Sequence, residues 1–308
     1  HLSKPRLTVT MALSEYVQRI EPSPTMAIDA KAKQMQRDGI DVISLAAGEP
    51  DFDTPDHIKE AGIQAIRDGH TKYTQAAGIP ELKEAILQRL VADDGLEYTE
   101  DQVIVNCGGK HTLYLAGATL VSPGDEVIVP APYWVSSSEQ PKLVGGNTAI
   151  VQTSEADGLK LTAKRFREAI TSKTKMVVLN TPSNPSGVVY TRQELEAVAE
   201  VAVEHGIHIL SDEIYDKLIY DGVEHVSVAS LSEQVKELTI VVKGVSKSYA
   251  MTGWRVGYAV GPTEVIAGMI KAQMQILSHT SSISQHAAVT ALTGPQEPID
   301  AMIEEYAE

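Results

Sequence analysis

Two cations eight positions apart, Lys247 and Arg255, frame the most chemically suggestive stretch of this 308-residue chain. The run Lys243-Gly244-Val245-Ser246-Lys247-Ser248-Tyr249-Ala250-Met251-Thr252-Gly253-Trp254-Arg255-Val256-Gly257 sets one lysine among small residues. A lysine that forms an imine with an aldehyde must shed its proton near neutral pH and leave room for a flat ring. Arg255 can hold an anion nearby. Ser246-Lys247 alone would fit an ordinary turn with surface cations; the full run is more specific.

Other polar groups sit where they could complete such a site. Gly108-Gly109-Lys110 follows the apolar run 103–105 and opens a helix, where backbone N–H groups can meet an anion; a plain strand-to-helix turn reads the same way. Trp134 could stack on a planar ring or fill the core. In Asn180-Thr181-Pro182-Ser183-Asn184-Pro185-Ser186-Gly187 two prolines present Asn184 rigidly, although a simple Asn-Pro turn is also possible. Asp212 ends an apolar strand in Ser211-Asp212-Glu213-Ile214-Tyr215, and a buried carboxylate needs a partner. A protonated pyridine nitrogen is one such partner; helix capping is the competing role. Lysine imine, bound phosphate and a carboxylate for a ring nitrogen together suggest pyridoxal phosphate.

The elements that must position these groups alternate strand and helix. Strands are expected at 103–105, 126–129, 176–179, 207–210, 238–242 and 256–260, with a further short one at 42–45. Helices are expected at 26–37, 56–68 with Asp56 as a cap, 80–91, 110–121, 162–170, 191–205, 262–277 and 283–293, and the chain closes in another. Nearly all-apolar strands belong to sheets covered on both faces, so the fold class is α/β around a mainly parallel sheet. Ligands bind such sheets beyond the strands' C-terminal ends, where Asn180, Asn184, Asp212 and Lys247 fall.

Bulk properties set limits. Apolar residues make up 43%, and the net charge of −15 argues against nonspecific nucleic-acid binding. A single cysteine, Cys107, rules out an intrachain disulfide, fits a reducing compartment and reads as a small buried hydrophobe. No window approaches 18 uninterrupted apolar residues, so no membrane span is expected.

The Lys247 run resembles the lysine-attachment signature of class I and II aminotransferases at Gly244, Ser246, Lys247, Ala250, Gly253, Arg255 and Gly257. Asn184-Pro185-x-Gly187, Asp212 and Tyr215 match that family in order and spacing, and the matches run from about residue 14 to 290. The resemblance implies the fold type I pyridoxal-phosphate transferase architecture, a large three-layer domain with part of a smaller one. Residues 1–46 would form an arm and part of the small domain, 47–290 the large domain, and 291–308 the start of an interdomain helix.

It further implies roles. Lys247 would carry pyridoxal 5'-phosphate and move protons, Asp212 would face the ring nitrogen, and Asn184 and Tyr215 would meet the ring oxygen. Gly108, Gly109, Lys110, Ser246 and Arg255 would cradle the phosphate, with Trp134 over the ring. Tyr73 would reach the phosphate of a neighbouring subunit in a homodimer, with Ser278 near that boundary. Gly48 would touch the substrate carboxylate, and Thr25 and Lys110 its second carboxylate, as in the aspartate/prephenate subgroup; Glu21 departs from that subgroup's usual cation.

The expected activity is transamination of a dicarboxylic amino acid with a 2-oxo acid such as 2-oxoglutarate, in the cytoplasm or an organelle stroma. β-Elimination, decarboxylation, or cofactor binding with little turnover are the alternatives, since relatives continue into a segment whose arginine clamps the substrate α-carboxylate. The only arginine after residue 200 here is Arg255.

Overall fold

The computed structural model describes residues 12–46 and 48–308. Among these residues seven strands form one sheet: β1 (Val103–Asn106), β2 (Glu126–Ala131), β3 (Asn147–Gln152), β4 (Thr174–Asn180), β5 (His208–Asp212), β6 (Thr239–Gly244) and β7 (Gly257–Val260), in the order β1-β7-β6-β5-β4-β2-β3. β7 runs antiparallel to both neighbours; the other pairings are parallel.

Among the described residues twelve α-helices flank the sheet or precede it. They are α1 (Glu15–Gln18), α2 (Pro24–Arg37), α3 (Asp56–Arg67), α4 (Pro80–Asp94), α5 (Gly109–Leu120), α6 (Val135–Leu143), α7 (Ala163–Ala169), α8 (Arg192–His205), α9 (Glu233–Lys236), α10 (Thr263–Ile276), α11 (Ser282–Thr293) and α12 (Glu297–Ala307). Alternate residues of the strands feed opposite cores. Val127, Val129, Met176, Val178 and Leu210 pack with Leu115 of α5 and Met269 of α10. Ile128, Val177, Leu179 and Ile209 pack with Phe166 and Leu195, while Val103, Val105 and Val241 pack with α4 and α11. The result is the three-layer helix–sheet–helix arrangement.

Local sequence sets the element ends. Thr191 and Glu194 form a reciprocal capping box at the start of α8, and Gly206 ends it with φ 63°. Pro80 opens α4 and Gly95 closes it in the left-handed region.

Several expectations need correction. Residues 42–45 form no strand: Ile43 and Leu45 are 87% and 93% exposed, and no described strand pairs with them. A short apolar run becomes a strand only when it finds a ladder partner. Asp56 does not cap α3. Pro55 takes that place, and Asp56 pairs with Lys59 at 2.8 Å. The antiparallel β7 leaves the sheet mainly parallel, as expected. Strand β3 and helices α1, α6 and α9 went unpredicted. β3 is an edge strand whose pattern is mixed polar and apolar, and α6 contains Pro141. Among the described residues no helix is long and apolar enough to cross a membrane.

Candidate active site

β5 delivers Asp212 at its last position. The carboxylate is 6% exposed, and its Oδ1 accepts from the Ile214 N–H at 3.3 Å. Burial pushes its pKa up to about 7; the neighbouring Glu213 adds to the rise, while the Ile214 hydrogen bond and Lys247 oppose it. Among the described residues no cation forms an ion pair with it, so it is placed to accept one.

β4 ends one strand over. Asn180 Nδ2 donates to the Asp212 carbonyl at 3.0 Å, and Asn180 Oδ1 accepts from the Asn184 N–H at 2.6 Å. This folds the proline-bounded loop back over the sheet edge. Asn184 Nδ2 then donates to Tyr215 Oη at 3.2 Å. Two groups that the family resemblance assigns to one oxygen thus already touch.

Lys247 follows β6. Its Nζ donates to the Gly48 carbonyl at 2.5 Å and lies 5.7 Å from the centre of the Tyr215 ring. Burial holds its pKa below the ordinary lysine value, Arg255 helps, and Glu49 and Asp212 partly offset both. A depressed amine is a better nucleophile near neutral pH. Ser246 beside it is buried.

The third wall is the start of α5. Gly108 has φ 79°, a conformation glycine reaches freely, and a Cβ there would stand 2.3 Å from Arg255 Nη2. A Cβ on Gly257 would meet the Gly109 nitrogen at 2.5 Å. Two glycines, Gly108 and Gly257, therefore let β7, the α5 turn and the guanidinium converge. Arg255 itself has φ 56°, unusual for a side-chain-bearing residue, and is fixed there by Nη1 to the Thr252 carbonyl at 2.8 Å and Nη2 to the Cys107 carbonyl at 3.3 Å. Thr280 Oγ1 donates to the Arg255 carbonyl at 3.0 Å. Among the described residues the N–H groups of Gly109 and Lys110 have no backbone acceptor. They leave a helix N-terminus beside a guanidinium, which suits a phosphate.

Lys110 Nζ lies 5.0 Å from the centre of the Trp134 ring, and burial lowers its pKa, with Arg255 adding to the effect. Trp134 lines a cleft with Tyr133, Asn180 and Asn184, so it belongs to the site side rather than to a closed core. Cys107 is half-buried, not fully buried as its sequence context implied.

Lys247, Asp212, Tyr215, Asn184, Gly48, Arg255, Gly108, Gly109, Ser246, Lys110 and Trp134 thus gather around one end of the sheet. Thr25 does not join them, and Tyr73 was expected at a neighbouring subunit's phosphate, not in this chain's own site. Tyr73 is 91% exposed, with its ring set edge-on against His279, next to Ser278. Thr25 is half-buried near the start of α2 and makes no side-chain hydrogen bond to the site. The arm that carries it is tied down elsewhere: Arg19 Nη2 donates to the Gly146 carbonyl and Asn147 Oδ1, both at 3.0 Å, and the Glu21 N–H to Glu139 at 2.9 Å.

Sequence reasoning missed Glu49. It accepts from Thr252 Oγ1 and supports the charge of Lys247. Its neighbour Gly48 was flagged, but nothing in Gly48-Glu49-Pro50 announces a contact with residue 252.

Comparison with known proteins agrees with this geometry. The family model for aminotransferase class I and II matches residues 40–308. An aspartate aminotransferase of Geobacillus stearothermophilus is 49% identical over 292 residues, covering 95% of this chain and 74% of the relative. An aspartate/prephenate aminotransferase of Cereibacter sphaeroides is 48% identical over 286 residues, covering 92% and 72%. Among solved structures, the aspartate aminotransferase from Rhizobium meliloti superposes with a TM-score of 0.93 at 43% identity, covering 96% of this chain and 74% of that one. The Thermus thermophilus aspartate aminotransferase with maleate gives 0.91 at 45% identity, covering 96% and 76%. The chain belongs to the class I and II aminotransferases.

Proposed function

We propose that this aminotransferase binds pyridoxal 5'-phosphate on Lys247 and moves the amino group of aspartate, or a similar dicarboxylic amino acid, to a 2-oxo acid such as 2-oxoglutarate. The observation that carries the reading is Asp212: a buried carboxylate at a strand tip, its pKa raised by burial, facing the depressed amine of Lys247. The donor set also fits the cofactor's other ends. Arg255, Ser246 and the free N–H groups of Gly109 and Lys110 suit a phosphate dianion. Asn184 and Tyr215 converge where a ring hydroxyl oxygen would lie.

When bound, the cofactor supplies an electron sink and carries the amino group between substrates. The chain's residues do the rest. Asp212 holds a proton on the pyridine nitrogen, and that new cation favours its ionised form. Lys247, freed from the Gly48 carbonyl, would take the proton from the substrate α-carbon and return it to the carbon on the far side of the transferred nitrogen. Trp134 covers the ring. Gly48, Lys110 and Thr25 would hold the substrate carboxylates.

The dicarboxylate preference rests on the names of the relatives and on the neighbour solved with maleate. Tyr73, almost fully exposed in one copy, completes the phosphate site of a second, so the working form is a homodimer. The test is oxaloacetate production from aspartate. The proposal expects it to depend on added 2-oxoglutarate; oxaloacetate-free loss of aspartate, through elimination or decarboxylation, would refute it.

A further inference from the structure

One dense ionic cluster lies directly beneath the site. Glu213 is fully buried. Its Oε1 accepts from Ser211 Oγ at 2.8 Å, Ser227 Oγ at 2.9 Å and the Val228 N–H at 3.1 Å. Its Oε2 faces His225 Nε2 at 3.2 Å and Lys243 Nζ at 3.7 Å. Lys243, itself 3% exposed, reaches Asp94 at 2.6 Å and Asp216 at 2.8 Å. Strand β5, the 225–228 segment, β6 and the end of α4 therefore meet around one carboxylate. Asp94, Glu213 and His225 bring their ligand atoms within 4.8 Å of one another, a spacing that would suit a metal ion. The Lys243 ammonium already stands between Asp94 and Glu213 and supplies the cation.

Such a network is a poor route to stability alone. Desolvating the charges costs about as much as their attraction returns, and apolar replacements are often equally stable. What it fixes is position. Strand alternation turns Ser211 and Glu213 to one face and Asp212 to the other. The Glu213 N–H donates to the Val242 carbonyl at 2.9 Å, and the Asp212 carbonyl accepts from the Thr181 N–H at 3.1 Å. Every bond that holds the Glu213 side chain also holds the peptide that carries Asp212.

We propose that Glu213 is a positioning residue for Asp212, acting through their shared strand end and through its own buried charge. The proposal rests on the reading that Asp212 meets the pyridine nitrogen. Glu213 stays ionised: burial opposes this, but His225, Lys243 and Ser211 hold its pKa below the usual carboxylate value. Burial likewise opposes protonation of His225, yet Glu213 holds that imidazole above its ordinary value. Around Asp212 the charged and titratable groups are Glu213, Lys247 and Tyr215; around Glu213 they are His225, Lys243, Asp94, Asp216 and Tyr98.

The test uses the full chain without cofactor, labelled with carbon-13 at the aspartate carboxyls, with Asp212→Asn assigning the resonance. Glu213→Gln keeps an oxygen for Ser211, Ser227 and Val228 but removes the charge. The proposal expects the Asp212 midpoint to fall while exposed Asp221 titrates as before. An unmoved Asp212 midpoint in a folded Glu213→Gln protein overturns it. Should that variant fail to fold, Ser227→Ala carries the test: a displaced Asp212 resonance with Asp221 unmoved supports positioning, and an unmoved one overturns it. Because the readout needs no cofactor, failure of the parent chain to take up pyridoxal phosphate would count against the function proposed above and not against this role of Glu213.

Discussion

Lys247 Nζ donates to the carbonyl of Gly48 at 2.5 Å, joining residues 199 positions apart in the chain. The amine is thereby held 5.7 Å from the centre of the Tyr215 ring, close enough to Asp212 for their charges to interact. The Gly48 loop and the β6 turn must both be in place before the lysine is. Glu49, the next residue, tunes that lysine's charge.

Replacing Glu49 should sharpen Lys247's reactivity toward aldehydes. Glu49 raises the Lys247 pKa against the larger lowering effect of burial. Glu49→Gln removes that support, so the neutral amine appears at lower pH. A stopped-flow series of pyridoxal phosphate uptake against pH should show its acid limb displaced downward. A limb displaced upward would show that the Thr252–Glu49 contact matters through shape, not charge.

Asp212 makes the cofactor-free protein sensitive to alkali. Its folded pKa, about 7, lies above the ordinary carboxylate value of 3.8. The folded state therefore binds the proton more tightly than the unfolded chain. This group's contribution to stability is complete below about pH 4 and is lost as pH rises through 7. Thermal melts at pH 5 and 8 should show Asp212→Asn flattening that slope and melting above the parent at pH 8. Saturating cofactor should reverse the order at pH 8, since only the parent offers a carboxylate to the ring.

Two glycines should respond oppositely to alanine. At Gly257 a Cβ would stand 2.5 Å from the Gly109 nitrogen, against backbone that cannot move aside. Gly257→Ala should cost more than about 2 kcal/mol, in line with overpacking of a fixed core, and weaken cofactor binding. Gly117 lies within α5 with nothing within 4 Å of a built Cβ. Gly117→Ala should stabilise by about 0.5–1 kcal/mol through helix propensity. Urea unfolding of both variants checks the contrast.

Complementation tests the shared site. Tyr73→Phe and Lys247→Ala should each be severely impaired, the second by roughly 10²–10⁴-fold through loss of the general base. Mixed subunits place an intact Lys247 opposite an intact Tyr73 in one of the two sites. Refolding the two variants together should restore activity that neither has alone. No recovery, with mixed dimers demonstrated by mass, would remove Tyr73 from the partner's site.

The legible parts of the chain were those where chemistry and local pattern coincide. The apolar strands β4, β5 and β6 and the residues at their tips, Asn184, Asp212 and Lys247, stood out because a carboxylate or amide ending an apolar run has few other reasons to be there. Glycines 108 and 109 were ambiguous, since a plain strand-to-helix turn carries the same pattern. Residues 42–45 failed because pairing partners, not local composition, make a strand. The contacts of Lys243 with Asp94 and of Lys247 with Gly48 span 149 and 199 residues, and no local pattern encodes them. Glu213 was hidden by its own neighbour: in Asp212-Glu213 only the tertiary fold shows which carboxylate faces the site and which is buried behind it.

The central claim is that one particular amine joins the cofactor aldehyde. The direct measurement is to incubate the protein with pyridoxal 5'-phosphate, reduce with borohydride, digest, and locate the added mass by peptide sequencing. The adduct should fall on the peptide containing Lys247 and vanish in Lys247→Ala. An adduct on Lys110 or Lys243 instead, or none with the fold intact, would contradict the account.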